Sequence, residues 1–317
     1  MTGMRSVNAT CVYGLRTDDR GRRRGKWGLV ICLALLPMLG GCLQAPQSLE
    51  QAAAGRQLAT ESPQVQALAT AAGEGNVEEV RRLMQDEGVN PDTVFWGRGN
   101  GYPLLAWPIY RGSPEGLRAM LENGADPNVA KPRPRKPRRS QRNEPNAMVW
   151  AAEQDDPVYL ELLLDHGGDP DTRNANRETL MFHAYINRDK WQNVQLLVNH
   201  GADVNALAGM GGTILHSYAS MGRFERAYWL MTHGADATRA HSFEKPVNRN
   251  DSLTVQAIFW YPASGENAKW QQRCQRILLA QGIERPPMPE HFRRHRQALG
   301  HPYEESEIPL PDMEGEE

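Results

Sequence analysis

Apolar residues between Gly211 and Asp236 fall into two short helical phases separated by a glycine. Ile214, Leu215, Tyr218 and Ala219 share one face of a helix that begins at Thr213. Phe224, Ala227, Tyr228 and Met231 recur at i, i+3, i+4 and i+7 on a second helix. Gly222 breaks the first phase, and Gly234 suits the left-handed residue that ends the second. Two helices this short bury too little apolar surface to stand alone, so the pair requires neighbours.

The neighbours recur along the chain. EGVNPD, NGADPN, HGGDPD, HGADVN and HGADAT place glycines at 88, 124, 167, 201 and 234, in steps of 36, 43, 34 and 33 residues. Thr213-Ile214-Leu215-His216 opens the clearest unit. Thr179-Leu180-Met181-Phe182, Pro103-Leu104-Leu105-Ala106 and Asn146-Ala147-Met148-Val149 are degenerate versions of it. The pattern resembles that of the ankyrin-repeat family, whose 33-residue unit opens T-P-L-H-x-A. The resemblance covers residues 63–285. It implies an all-α solenoid of five to six helix-turn-helix repeats joined by short hairpin fingers. Repeat 1 starts near Pro63, with helices expected over 64–72 and 77–84. Repeats 2 to 5 run over 101–128, 146–171, 179–205 and 211–238. A sixth, stretched unit spans 251–282. The step from Gly234 to Gly282 is 48 residues, well over the family period. Pro286, Pro287 and Pro289 end the pattern, and 290–299 is predicted as a terminal capping helix.

The N-terminus has its own pattern. Arg5, Arg16, Arg20, Arg22, Arg23, Arg24 and Lys26 precede a 13-residue apolar run from Trp27 to Leu39, then Gly40, Gly41 and Cys42. A basic region, a short apolar run and small residues at a cleavage point describe a secretory signal. The run is short for a bilayer core of about 30 Å. Leu39-Gly40-Gly41-Cys42 resembles the lipobox of bacterial lipoproteins, which implies cleavage before Cys42 and acylation of that residue. Leu43 after the cysteine implies, by the same resemblance, sorting to the outer membrane, facing the periplasm. The expected organisation is a signal over 1–41, a tether over 42–62, the repeats over 63–285 and a capping helix with an acidic, disordered tail over 286–317.

Charge narrows the partners. Without residues 1–41 the chain keeps 29 basic and 36 acidic side chains, a net charge of −7. That balance argues against general nucleic-acid binding. Of four cysteines, Cys11 and Cys32 leave with the signal and Cys42 takes the lipid, so Cys274 remains alone in an apolar helix pattern and reads as a buried, inert thiol. Lys131, Arg133, Arg135, Lys136, Arg138, Arg139 and Arg142 form a basic arm with three prolines and no acid, expected at the finger between repeats 2 and 3. The tail over 301–317 is its opposite, with seven acids and no Lys or Arg. Runs of either kind are ordinarily solvated. The sharper expectation is that the tail covers the arm.

No phosphate loop, zinc-type cysteine spacing or nucleophile elbow is visible, and no cofactor or metal is expected. His166, His200 and His233 each precede a repeat's glycine. In stacked helices they fall about 8–10 Å apart, too far for shared ligation, and read as helix C-terminal donors. Asp155 and Asp156 before Pro157 read as a helix N-terminal cap, and His216 as structural.

The reading is therefore a non-catalytic, monomeric, lipid-anchored scaffold that binds another protein. Mapping the family's variable positions onto this chain assigns Tyr110, Arg111, Glu153, Gln154, Asn187 and Met221 on helix ends, and Trp96, Arg98, Asn176 and Met210 on fingers. Trp96 is equally explained by packing between repeats 1 and 2. Resemblance to ankyrin lipoproteins also suggests an immunity protein against an effector delivered to the periplasm. The alternative function is a surface tether whose basic arm binds anionic lipid or lipopolysaccharide phosphates.

Overall fold

Six antiparallel helix pairs stack side by side in the computed structural model. It describes residues 56, 58, 59, 61–96, 101–130, 146–174, 176–209, 211–239, 241 and 249–313. The pairs are α1 (Pro63–Glu74) with α2 (Val77–Arg81), α3 (Ala106–Arg111) with α4 (Pro114–Glu122), and α5 (Ala147–Ala152) with α6 (Val158–Asp165). Then follow α7 (Leu180–Ile186) with α8 (Trp191–Asn199), α9 (Ile214–Ser220) with α10 (Phe224–Thr232), and α11 (Leu253–Trp260) with α12 (Gly265–Ala280). A π-helical turn, Arg82–Asp86, extends α2, and α13 (Glu290–Ala298) closes the stack. Strands β1 (Val94–Trp96) and β2 (Gly101–Pro103) form an antiparallel finger with Phe95 opposite Tyr102. The stretched sixth repeat thus keeps the common plan, with a second helix of 16 residues.

Most first helices start the same way. Ser62, Asn146, Thr179, Thr213 and Ser252 each accept a hydrogen bond from a backbone N–H two or three residues on. All but Ser62 are buried, so the cap is also a core contact. Repeat 2 has Pro103 there and enters its helix from β2. Each second helix ends at a glycine in the left-handed region, with φ between 66° and 96° at Gly88, Gly124, Gly167, Gly201, Gly234 and Gly282. A Cβ on any of them meets nothing within 4 Å, so conformation rather than space selects glycine.

The recurring Asp and Asn after these glycines link the repeats. The backbone N–H of Asp126 donates to Asp92 Oδ1 at 2.9 Å, that of Asp169 to Asn128 Oδ1 at 2.7 Å, that of Asp203 to Asp171 Oδ1 at 2.9 Å and that of Asp236 to Asn205 Oδ1 at 2.7 Å. Asn128 and Asn205 also donate from Nδ2 to the carbonyls of Gly167 and Gly234. One side chain per finger therefore ties each of repeats 1 to 4 to the next.

A second set of links joins the start of each second helix to the preceding helix turn. A Cβ on Gly116 would lie 1.7 Å from the Ala72 carbonyl oxygen, so only glycine fits there. Asn193 instead donates to the carbonyls of Ala152 and Gln154, both at 3.0 Å, and Asn267 to that of Gly222 at 2.7 Å. Arg226 takes the same register and pairs with Asp189, which also accepts from Tyr218 Oη at 2.8 Å and from Arg223. Asp189 and Arg188 hold φ of 59° and 66° without being glycine, and this network fixes the turn.

The core runs unbroken through the stack. Leu68, Leu104, Leu117, Met148, Leu160, Leu163, Leu180, Leu197, Leu215, Leu230, Ile258 and Leu278 are fully buried on the facing helix sides. Cys274 lies among them, its thiol pushed well up by burial and its Sγ 3.6 Å from the Phe224 carbonyl, which matches an inert buried thiol.

The tail differs from its expectation. Residues 301–313 are ordered against the last repeat. Arg285 and Arg276 donate to the carbonyls of Ile308 and Asp312, Arg293 pairs with Glu304 at 2.7 Å, and Glu305 accepts the Met288 N–H at 2.6 Å. Arg296, nearly buried, donates to the carbonyls of Pro302 and Trp260. Pro311 is buried and Ile308 packs against the core. The expectation of a disordered tail fails because arginines on α12 and α13 supply partners, and because two apolar residues interrupt the acidic run. Glu304 and Glu305 of the tail are thus engaged at the C-terminal end of the stack. The basic arm they were expected to cover lies outside the described residues, as does the signal, Cys42 and most of the tether. Among the described residues no helix is long and apolar enough to cross a membrane.

A candidate partner-binding face

Counting each first helix from its cap residue, positions 5 and 8 point away from the core on one face. They are Trp107 and Tyr110, Trp150 and Glu153, His183 and Ile186, and Ser217 and Ser220. Contacts between neighbouring repeats show that the row is continuous from repeat 2 to repeat 4. Tyr110 meets Trp150 edge-on at 4.6 Å between centroids, and the finger residue Tyr102 lies 6.2 Å from the same indole. Glu153 is hydrogen-bonded by His183 of the next repeat. At the C-terminal end Phe259 holds position 8 and is buried.

A polar cluster interrupts the aromatic row. His183 Nε2 meets Glu153 Oε1, and His183 Nδ1 lies 3.3 Å from Asn174 Nδ2 and 3.8 Å from Glu178 Oε2. Asn174 Nδ2 also donates to Glu178. His183 therefore lies between two carboxylates and one amide. Beyond the cluster, Ile186 is 48% exposed and Met221 59% exposed, two large apolar side chains facing solvent on adjacent repeats.

The positions expected to bind a partner divide into groups. Met221 and Asn176 are exposed. Tyr110 and Glu153 belong to the row just described. Arg111 lies with its stem over Gly73. Gln154 and Asn187 turn back, donating to the carbonyls of Trp150 and His183 on their own helices at 3.0 and 2.9 Å, so one amide N–H of each is committed internally. Arg98, Met210, the arm and the side chain of Trp96 lie outside the described residues. Trp107, Trp150, His183, Asn174 and Glu178 were missed. Their signal was the repeat register itself, which puts a large side chain at position 5 of three successive first helices.

Two of the three histidines at helix ends, His166 and His233, behave as expected of donors there, whereas His200 Nε2 lies 3.9 Å from Asp165 Oδ1. His166 Nδ1 is 2.8 Å from the Leu162 carbonyl and His233 Nδ1 is 2.7 Å from that of Trp229. Asp156 caps α6 through the Val158 N–H, and Asp155 pairs with Lys190, which holds its carboxyl below the usual range. His216 packs edge-on against His241 at 4.1 Å, and Thr254 is 3.4 Å from its Nδ1. Burial, with the neighbouring His241, lowers its pKa to about 4. Among the described residues no group of three or more His, Cys, Asp or Glu could hold a metal ion. The opposite face, made by the second helices, carries an open groove of about 440 Å³ lined by Glu161, Gln195, Leu196, Asn199 and Trp229 among others.

Residues 144–241 match the family model for ankyrin repeats, in three copies. No curated protein sequence matches the chain. Among solved structures, the ankyrin repeat domain of Bcl-3, a member of the IkappaB protein family, aligns with a TM-score of 0.50 at 22% identity, over 71% of this chain and 88% of that one. EF0377, an ankyrin repeat protein, aligns with a TM-score of 0.46 at 21% identity, over 62% of this chain and 98% of that one. The family model and the stacked helix pairs agree on an all-α ankyrin-repeat solenoid.

Proposed function

From the premise that this chain carries a stack of ankyrin repeats, we propose that it is a non-catalytic scaffold, lipid-anchored through Cys42 on the periplasmic face of the outer membrane, which binds another protein. The binding surface is the face made by the first helices and fingers of repeats 2 to 5. The observation that carries this reading is the row Trp107, Tyr110, Trp150 and Ile186 on three successive repeats, with the exposed Met221 at the end of the next first helix. Such residues anchor protein interfaces, and a stacked-repeat surface presents them on a rigid support. The lipobox-like sequence supports the anchor and the compartment. In that setting a secreted toxic effector is the partner that the resemblance to immunity proteins favours.

The test is capture from solubilised membranes with the mature domain, comparing wild type with the double variant Ile186→Lys and Met221→Lys. Both side chains are solvent-facing, so the variant keeps the wild-type unfolding midpoint. Loss of the captured protein by roughly tenfold or more supports the reading. Unchanged capture with an intact fold contradicts it.

A further inference from the structure

We infer that residues 302–313 are a releasable strap lying on a preformed binding surface for an acidic segment, at the C-terminal end of the stack and apart from the first-helix row. The chain's own tail holds this surface in the free protein, and an acidic segment of a bound protein takes its place.

The first ground is how little the last repeat depends on the tail. Its core is closed by other residues: Trp260, Cys274, Leu278, Ile283, Met288 and Phe292 are all buried. The Trp260 Nε1–H donates to the Pro286 carbonyl at 2.9 Å, so the largest of these side chains is satisfied within the repeat. Of residues 301–313 only Pro311 is buried, and Tyr303, Leu310 and Met313 face solvent. A segment that adds one buried residue to a closed core opens locally, at a cost well below that of global unfolding.

The way the tail is held is the second ground. Four arginines outside it each donate to a tail carbonyl: Arg296 to that of Pro302, Arg293 to that of Tyr303 at 3.3 Å, Arg285 to that of Ile308 at 2.6 Å and Arg276 to that of Asp312 at 2.8 Å. Every peptide has carbonyls, so this comb of guanidinium groups holds a main chain of any sequence. Side-chain contacts add selection. Arg293 pairs with Glu304 at 2.7 Å, the Met288 N–H donates to Glu305 at 2.6 Å, and Ile308 packs against the core. Arg296, 7% exposed, also donates to the carbonyls of Trp260 and Tyr261, so its guanidinium keeps acceptors when Pro302 leaves. A row of cations with a seat for one aliphatic side chain suits an acidic segment and repels a basic one.

The experiment offers a fluorescently labelled peptide of residues 301–313 to three proteins: the mature chain, its Ile308→Asp variant and a chain ending at Gly300. Ile308→Asp loosens the strap within the whole chain, so release is read without truncation. The expected result is saturable binding to both altered chains, about tenfold or more tighter than to wild type, whose own tail competes at an effective concentration near millimolar. Binding weakens several-fold at high salt and for a peptide carrying Ile308→Asp. Hydrogen exchange over α11, α12 and α13 stays at the wild-type level in both altered chains. Failure of either altered chain to bind, or equal binding by wild type, overturns the inference. So does loss of exchange protection throughout α11 to α13 in the chain ending at Gly300, because the tail is then an integral part of the last repeat. None of these readouts depends on the first-helix face, so this inference and the proposed binding face stand or fall separately.

Discussion

Asn205 reaches from repeat 4 into repeat 5, accepting the backbone N–H of Asp236 on Oδ1 at 2.7 Å and donating from Nδ2 to the Gly234 carbonyl at 3.0 Å. One amide thus closes a finger and joins two repeats. In a linear stack each repeat is held only by its neighbours, so such a junction bears directly on cooperativity.

Asn205→Ala removes both bonds and costs about 1–2 kcal/mol in chemical denaturation. Asn205→Asp keeps the acceptor and loses the donor, so its cost falls between alanine and wild type. Equal costs for the two variants would show that the Nδ2 bond alone matters.

Leu215→Ala tests the core of the same repeat. The side chain is fully buried between helices, and truncation costs roughly 2–5 kcal/mol. A loss under about 0.5 kcal/mol, the range of an ordinary surface change, contradicts this packing.

His216 makes stability depend on pH. Its pKa falls from an ordinary 6.5 to about 4 in the fold, chiefly through burial. As pH drops below 6.5 the unfolded chain takes up a proton that the folded chain refuses. Stability contributed by the neutral imidazole is therefore complete above pH 6.5 and is lost between about pH 6.5 and 4, by up to about 3 kcal/mol. His216→Gln flattens the stability profile in that window. An unchanged slope in the variant would assign the acid sensitivity to other groups.

Much of this arrangement is legible in the sequence, and the reasons differ by element. The repeat boundaries show because each helix pair carries a local start residue such as Thr213 and a local stop such as Gly234. The Asp–Asn ladder is less visible, because Asn205 and Asp236 are 31 residues apart and nothing local distinguishes a side chain that bonds its own turn from one that bonds the next repeat. The same holds for Asn193, Arg226 and Asn267, three different residues serving one register. On the binding face the helix-end positions were anticipated and position 5 was not. Trp107, Trp150 and His183 each read locally as part of an apolar or polar helix, and only stacking reveals them as neighbours. The tail misled through composition. Its acids suggested a solvated chain, whereas Ile308 and Pro311 and the arginines of α12 and α13 hold it down.

The proposed anchor rests on Leu39-Gly40-Gly41-Cys42. Cys42→Ala should leave the protein without a lipid label and outside the outer-membrane fraction, with the repeat domain still folded. Wild-type protein that takes no lipid label and fractionates like the variant ends the lipoprotein assignment.

The binding face is tested most directly by site-specific photo-crosslinking in the native cells. A photoreactive residue is placed at Ile186 or Met221 on the first-helix face, and at Gln195 or Asn199 in the groove of the opposite face. The account predicts one shared protein adduct from both first-helix positions and none from the groove. Adducts from the groove alone, or no protein adduct from either first-helix position in a folded, correctly anchored chain, would contradict it.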